Sequence, residues 1–110
     1  MKTITTMAAQ GDCMFRRVEA LPEGATAAAP AERVVVAHSE TGHHHVAVGS
    51  GITFYRSADP LVCYLSLTDP TEIQHERPFD THETLQLLPG VWELRRQKEW
   101  TVEGFRRVED

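Results

Sequence analysis

A chain of 110 residues with 41% apolar and 25% charged side chains supports one hydrophobic core and lies outside the low-hydrophobicity, high-charge range in which chains stay disordered. Its net charge of -5, from 16 acidic against 11 basic residues, sets the whole-chain field against DNA or RNA phosphates, so nucleic acid is not an expected partner. The apolar runs, such as Val34-Val35-Val36-Ala37, are a few residues long where a membrane span needs about 20, which excludes a membrane helix.

At the N-terminus, "MKTITTMAAQGDC" offers no apolar run long enough for the core of a signal peptide, and cytoplasmic residence is the expectation. The stretch "GDCMFRRVEAL" alternates loosely, with Cys13, Phe15 and Arg17 on one side and Met14, Arg16 and Val18 on the other, as in a strand. Residues 21–33, "LPEGATAAAPAER", mix two prolines, a glycine and five alanines without periodicity and read as a surface loop. "RVVVAH" is short and β-branched, a strand. "HVAV", "ITFYR" and "LVCYLSL" follow as strands, separated by the turn chemistry of "GSG" and "SADP". Pro89-Gly90 marks a tight turn before Val91–Arg96, where Val91, Glu93 and Arg95 alternate with Trp92, Leu94 and Arg96. The tail 101–110 fits neither template, so a short helix and an edge strand both stay open. Together these elements predict an all-β fold, a single domain over 1–110 built as a small barrel or sandwich of about seven to eight short antiparallel strands.

Cys13 and Cys63 lie between apolar neighbours, which fits two core thiols better than a disulfide. Four of the six histidines fall in one window, "HSETGHHH". If a strand begins there, His43 and His45 project from one face while His44 points away. Such an H-x-H pair can bind one divalent ion, zinc, iron or nickel, at about 2.0–2.2 Å per nitrogen. Further ligands would come from His38 or Glu40 across the "SETG" turn, or from His82 or His75 in "HERPFDTHE". The expected metal set is therefore His43, His45 and His82, with His38, Glu40 and His75 as additional ligands. Two plainer readings compete with it: a solvated turn rich in imidazole, and a metal-free acid/base pair.

Other motifs carry less. "HETL" has the H-x-T form of the two-histidine phosphoesterases, but that chemistry needs the motif twice. The interval from His75 to His82 is wrong for two ligands on one helical turn, which excludes a zincin. Without G-x-S-x-G, P-loop or G-x-G-x-x-G, neither a hydrolase elbow nor a nucleotide cofactor is indicated. "WELRRQKEW" sets Arg95, Arg96 and Lys98 between Trp92 and Trp100. Mixed charges there suggest solvated surface, and the alternative is a protein partner held through Trp92, Arg95, Arg96 and Trp100.

The order "QGDCMFRRVEALPEGA", "VVVAHSETGHHH" and "HETLQLLPGVWELRRQKEWTVEGFRRVED" resembles a group of small bacterial and phage proteins of unassigned activity, over most of the chain. Their His-x-Glu-x-Thr-Gly-His-x-His box falls here on His38, Glu40, Thr41, Gly42, His43 and His45, with Glu40 and Thr41 adjacent so that one spacer position is missing, and their later histidine on His82. The resemblance implies that the box is more than a chance loop. A looser likeness is to cupins, β-barrels whose metal is held by an H-x-H pair, a glutamate and a later histidine. In this chain "VAVGSG" follows His45 where that glutamate would stand, and the last histidine precedes Pro89-Gly90. The functional expectation is a metal or acid/base site, with hydrolysis and an oxygenase-type step equally compatible. The competing expectation is a non-enzymatic phage or prophage accessory module that binds a host or virion protein.

Overall fold

The structure, a computed structural model, describes residues 1–37, 44–76 and 83–96 with their side chains and residues 98–101 and 104–107 by their backbone. Among these residues the chain is all-β, without a helix, and none of its elements is a helix able to cross a membrane. In chain order the strands are β1 (Lys2–Ile4), β2 (Met7–Gln10), β3 (Cys13–Val18), β4 (Thr26–Ala27), β5 (Ala31–Ala37) and β6 (His45–Arg56). They continue with β7 (Val62–Leu67), β8 (Thr71–His75), β9 (Leu85–Leu87), β10 (Gly90–Arg96), β11 (Lys98–Thr101) and β12 (Gly104–Arg107).

Eight strands form one path, β1-β9-β8-β6-β7-β10-β3-β2, and β4 and β5 pair with β6 beside it. The two ends of the path, β1 and β2, are separated in sequence by Thr5 and Thr6 alone, so the sheet curls back on itself as a nearly closed barrel. All pairings in it are antiparallel except β1 with β9, which run parallel, a departure from the purely antiparallel expectation. That pair requires no tight turn, since most of the chain lies between its strands.

Period-two alternation fixes which side chains fill the barrel. On β10, Trp92 and Leu94 are buried while Arg95 is exposed; on β3, Cys13 and Phe15 are buried while Arg16 is exposed. Ile4, Ile52, Phe54, Leu65, Ile73 and Leu87 are among the other side chains of the core. Trp92, expected at a partner-facing surface, is instead fully buried, with its indole N–H donating to the Leu88 carbonyl at 2.9 Å. It is therefore a core side chain; the side chain of Trp100, the other tryptophan expected at that surface, lies outside those described.

Three further expectations change. "GSG" lies within the twelve-residue β6 rather than in a turn. Its glycines answer a close approach: a Cβ on Gly51 would collide with Thr68 Oγ1, and one on Gly49 would come within 3.0 Å of Thr71 Oγ1. At this point β6 exchanges β8, its neighbour over residues 45–48, for β7, its neighbour over residues 52–56. The segment 21–33 contributes β4 and the first residues of β5. In the tail, β11 and β12 pair as an antiparallel hairpin in a separate two-stranded sheet.

Candidate functional site

Five polar or sulfur-bearing side chains sit on strand termini at one end of the barrel. Gln10 closes β2, Cys13 opens β3, Arg96 closes β10, His45 opens β6 and His75 closes β8. Cross-strand pairing sets their faces: Gln10 opposes Cys13, Cys13 opposes Arg96, and His45 opposes His75. The β2–β3 hairpin turns on two residues, Gly11 and Asp12. Gly11 has φ 58° and no non-glycine residue among the described ones has positive φ, the pattern of a II′ turn with glycine at its first central position. The second central residue, Asp12, is only 1% exposed, although hairpin-turn carboxylates ordinarily face water.

Asp12 is buried because it is paired. Its Oδ2 accepts from Arg96 Nε at 3.2 Å and Nη2 at 3.0 Å, while its Oδ1 lies 3.3 Å from His45 Nε2. The Cys13 thiol donates to the same Oδ1 at 3.6 Å. Charges removed from water at this depth are tolerated only when partners replace the lost solvation.

The protonation of His45 follows from its other neighbour. Gln10 Nε2 donates to the carbonyls of Ile73 at 2.9 Å and Glu83 at 3.0 Å, which fixes the orientation of the carboxamide. Its Oε1 therefore points at His45 Nδ1, 2.8 Å away, and can only accept. Nδ1 carries a proton, and Nε2 is the nitrogen turned towards the carboxylate. An imidazole lone pair facing a carboxylate oxygen at 3.3 Å is an arrangement that a proton or a metal ion between the two would stabilise.

Donor spacing admits the metal. One ligand atom each from Asp12, Cys13 and His45 lie within 4.8 Å of one another, all three residues buried. In a tetrahedral zinc site, Zn–N and Zn–O bonds of about 2.1 Å and a Zn–S bond of about 2.3 Å put nitrogen and oxygen about 3.4 Å apart and sulfur and oxygen about 3.6 Å apart. The corresponding distances here are 3.3 and 3.6 Å.

Of the residues expected from sequence, the structure brings His45 and His75 together, with their rings stacked at 4.1 Å. His44 is half-buried, and its carbonyl accepts from the Glu76 amide at 2.8 Å. His38, Glu40, His43 and His82 lie outside the described residues. Gln10, Asp12 and Cys13 were not anticipated as metal-site residues, and Arg96 was expected at a partner-facing surface instead. "QGDC" carried the signal, since a Gly-led two-residue turn between strands makes Gln10 and Cys13 cross-strand partners. For Arg96, alternation with Trp92 and Leu94 already placed it on the apolar face.

Both cysteines are buried and form no disulfide. Cys63 stands apart from the cluster: its Sγ donates to the Val36 carbonyl at 3.7 Å, and burial pushes its pKa up to about 12 against the opposing charge of Arg56. It is an inert core thiol.

No curated protein and no solved structure matches the chain. Residues 9–97 match the model of a family described as a domain of unknown function, DUF8820, a span that runs from β2 through β10 and holds every residue of the cluster. The chain thus belongs to the DUF8820 family.

Proposed function

We propose that the protein binds a divalent transition-metal ion, zinc, iron or nickel, through His45 Nε2, Cys13 Sγ and Asp12 Oδ1. The observation that carries this reading is the Gln10 carboxamide, which commits the His45 proton to Nδ1 and leaves Nε2 3.3 Å from an Asp12 oxygen that the Cys13 sulfur approaches at 3.6 Å. Gln10 and Arg96 then act as the outer partners that orient a ligating imidazole and a ligating carboxylate. A mixed nitrogen, sulfur and oxygen donor set suits zinc and its neighbours better than magnesium or calcium.

A further ligand is drawn from His38, Glu40 or His43 of the histidine box, or from His82. The described residues flanking those segments support this: Ala37 pairs with His45, and the Glu83 carbonyl accepts from Gln10. Burial of all three donors at 0–1% exposure favours a closed centre that fastens one end of the barrel over a site open to substrate. The alternative, an accessory module that binds a phage or host protein, would have to rely on Arg95 and residues beyond 97, because Trp92 and Arg96 face inward.

The test uses untagged protein purified without chelator, its metal content measured by mass spectrometry and its melting temperature recorded with and without EDTA. One ion per chain, lost in His45→Gln and Cys13→Ser and retained in Cys63→Ser, with a lower melting temperature after EDTA, supports the proposal. Metal-free protein whose melting temperature responds neither to EDTA nor to added zinc, iron or nickel overturns it, and assigns the position between His45 and Asp12 to a proton.

A further inference from the structure

A cavity of about 330 Å³ opens beside the cluster, between β5, the second half of β6, the turn at 57–61 and the facing strands. Its size falls in the range of about 300–1,000 Å³ typical of small-molecule sites. Val36, Phe54 and Leu94 give it an apolar wall, and Arg56 stands in its lining with the guanidinium 5.4 Å from the centroid of the Phe54 ring.

Arg56 differs from the other arginines whose side chains are described. Arg16, Arg33, Arg95 and Arg96 each donate to a carboxylate, and Arg17 donates to the carbonyls of Thr5 and Pro89. Arg56 donates to no acceptor among the described residues; its described contact is the aromatic ring. A guanidinium held over a ring keeps its planar fork of donors available to a carboxylate. The nearby Asp59 is engaged in its own turn, its Oδ1 accepting from the Leu61 amide at 2.9 Å.

We propose that this cavity binds a small organic carboxylate, its apolar body against Val36, Phe54 and Leu94 and its charge on the Arg56 guanidinium. One arginine fork suits a single negative charge; a phosphate would bring a second charge close to Asp59 in a chain of net charge -5. The occupant lies one side chain from the cluster, since Arg96 both lines the cavity and holds Asp12 Oδ2. The inference does not depend on a metal being bound there.

Titration of the full chain with hexanoate, and with hexanamide as its neutral match, followed by amide NMR shifts, tests this. The expected result is saturable shifts at residues 54–63 with hexanoate, at least tenfold weaker binding of hexanamide, and at least tenfold weaker hexanoate binding by Arg56→Gln. The ligand-free melting temperature of that variant should stay close to the wild-type value, because the side chain is exposed and donates to no acceptor among the described residues, its ring contact with Phe54 being a small contribution at an exposed site. Absence of saturable shifts with hexanoate, equal binding of hexanamide, or wild-type affinity in Arg56→Gln would each overturn the assignment.

Discussion

The imidazole rings of His45 and His75 stack face to face, their centroids 4.1 Å apart and their planes 7° from parallel. They do so because the two residues are direct cross-strand partners on β6 and β8 and both face the barrel interior. His75→Ala removes the surface on which His45 rests and opens a buried void, at an expected cost of about 2–4 kcal/mol. His75→Phe restores a flat ring and should recover more than half of that loss. Urea denaturation of the two variants measures both effects, and equal destabilisation by Ala and Phe would show that the ring nitrogens of His75 matter more than its face.

Gln10 holds the cluster through three hydrogen bonds, two donated to backbone carbonyls and one accepted from His45. Gln10→Ala leaves those buried groups without this partner and should cost about 2–4 kcal/mol of stability. It should also weaken metal binding about 10- to 100-fold, the usual effect of removing a group that orients a ligating histidine. Competition with a chelator of known affinity reads the second effect apart from the first.

The outer face of β7 and β10 carries a separate charged group whose pH response has a definite sign. Burial pushes Glu93 upwards, but hydrogen bonding and charge from Arg95, the charge of Arg16 and the Tyr64 hydroxyl outweigh it and lower its pKa below the usual glutamate value. The folded chain therefore holds this proton less tightly than the unfolded one. Its stabilisation is complete above the glutamate range and is lost as pH falls through the folded value. Tyr64 is shifted the other way, by burial first and then by the charge and hydrogen bond of Glu93. Its contribution is complete below the ordinary tyrosine value of about 10 and is lost as pH rises through the folded value. Chemical denaturation across pH should show both limbs, with Glu93→Gln flattening the acid one.

Gly51 marks the closest approach of β6 to the Thr68–Pro70 segment, since an added Cβ would strike Thr68 Oγ1 and lie 2.9 Å from Asp69 Oδ2. Gly51→Ala should destabilise the protein by about 1–3 kcal/mol through overpacking. Thr68→Ala removes the obstructing hydroxyl, so the double variant should be more stable than the sum of the single changes predicts. A thermal-melt double-mutant cycle gives that coupling, and strict additivity would place the strain elsewhere.

The sequence made the β class legible because apolar–polar alternation survives in strands such as β3, β9 and β10, as in Trp92 and Leu94 against Glu93 and Arg95. It also placed His45 at the start of a strand with its ring on the face shared with His43, and included His75 among the candidate partners. What it hid was distance. Asp12 and Arg96 are 84 positions apart and meet because β10 pairs with β3, a register that period-two reading of either strand alone does not supply. Cys13 sat between apolar neighbours and so read as core, which it is; its closeness to His45 depends on how the barrel brings β3 and β6 to one end. "GSG" was misread for a related reason. Glycine serves both chain reversal and close strand approach, and only the opposing Thr68 distinguishes them.

Cobalt(II) titration of metal-free protein, followed by near-ultraviolet absorption, bears most directly on the metal centre. A sulfur-to-cobalt charge-transfer band that saturates at one equivalent, disappears in Cys13→Ser and His45→Gln, and persists in Cys63→Ser is the result expected, since Cys63 is held as a thiol with a pKa of about 12. A folded wild-type protein that develops no such band, or a band that survives the loss of Cys13, would contradict a metal centre built on Asp12, Cys13 and His45.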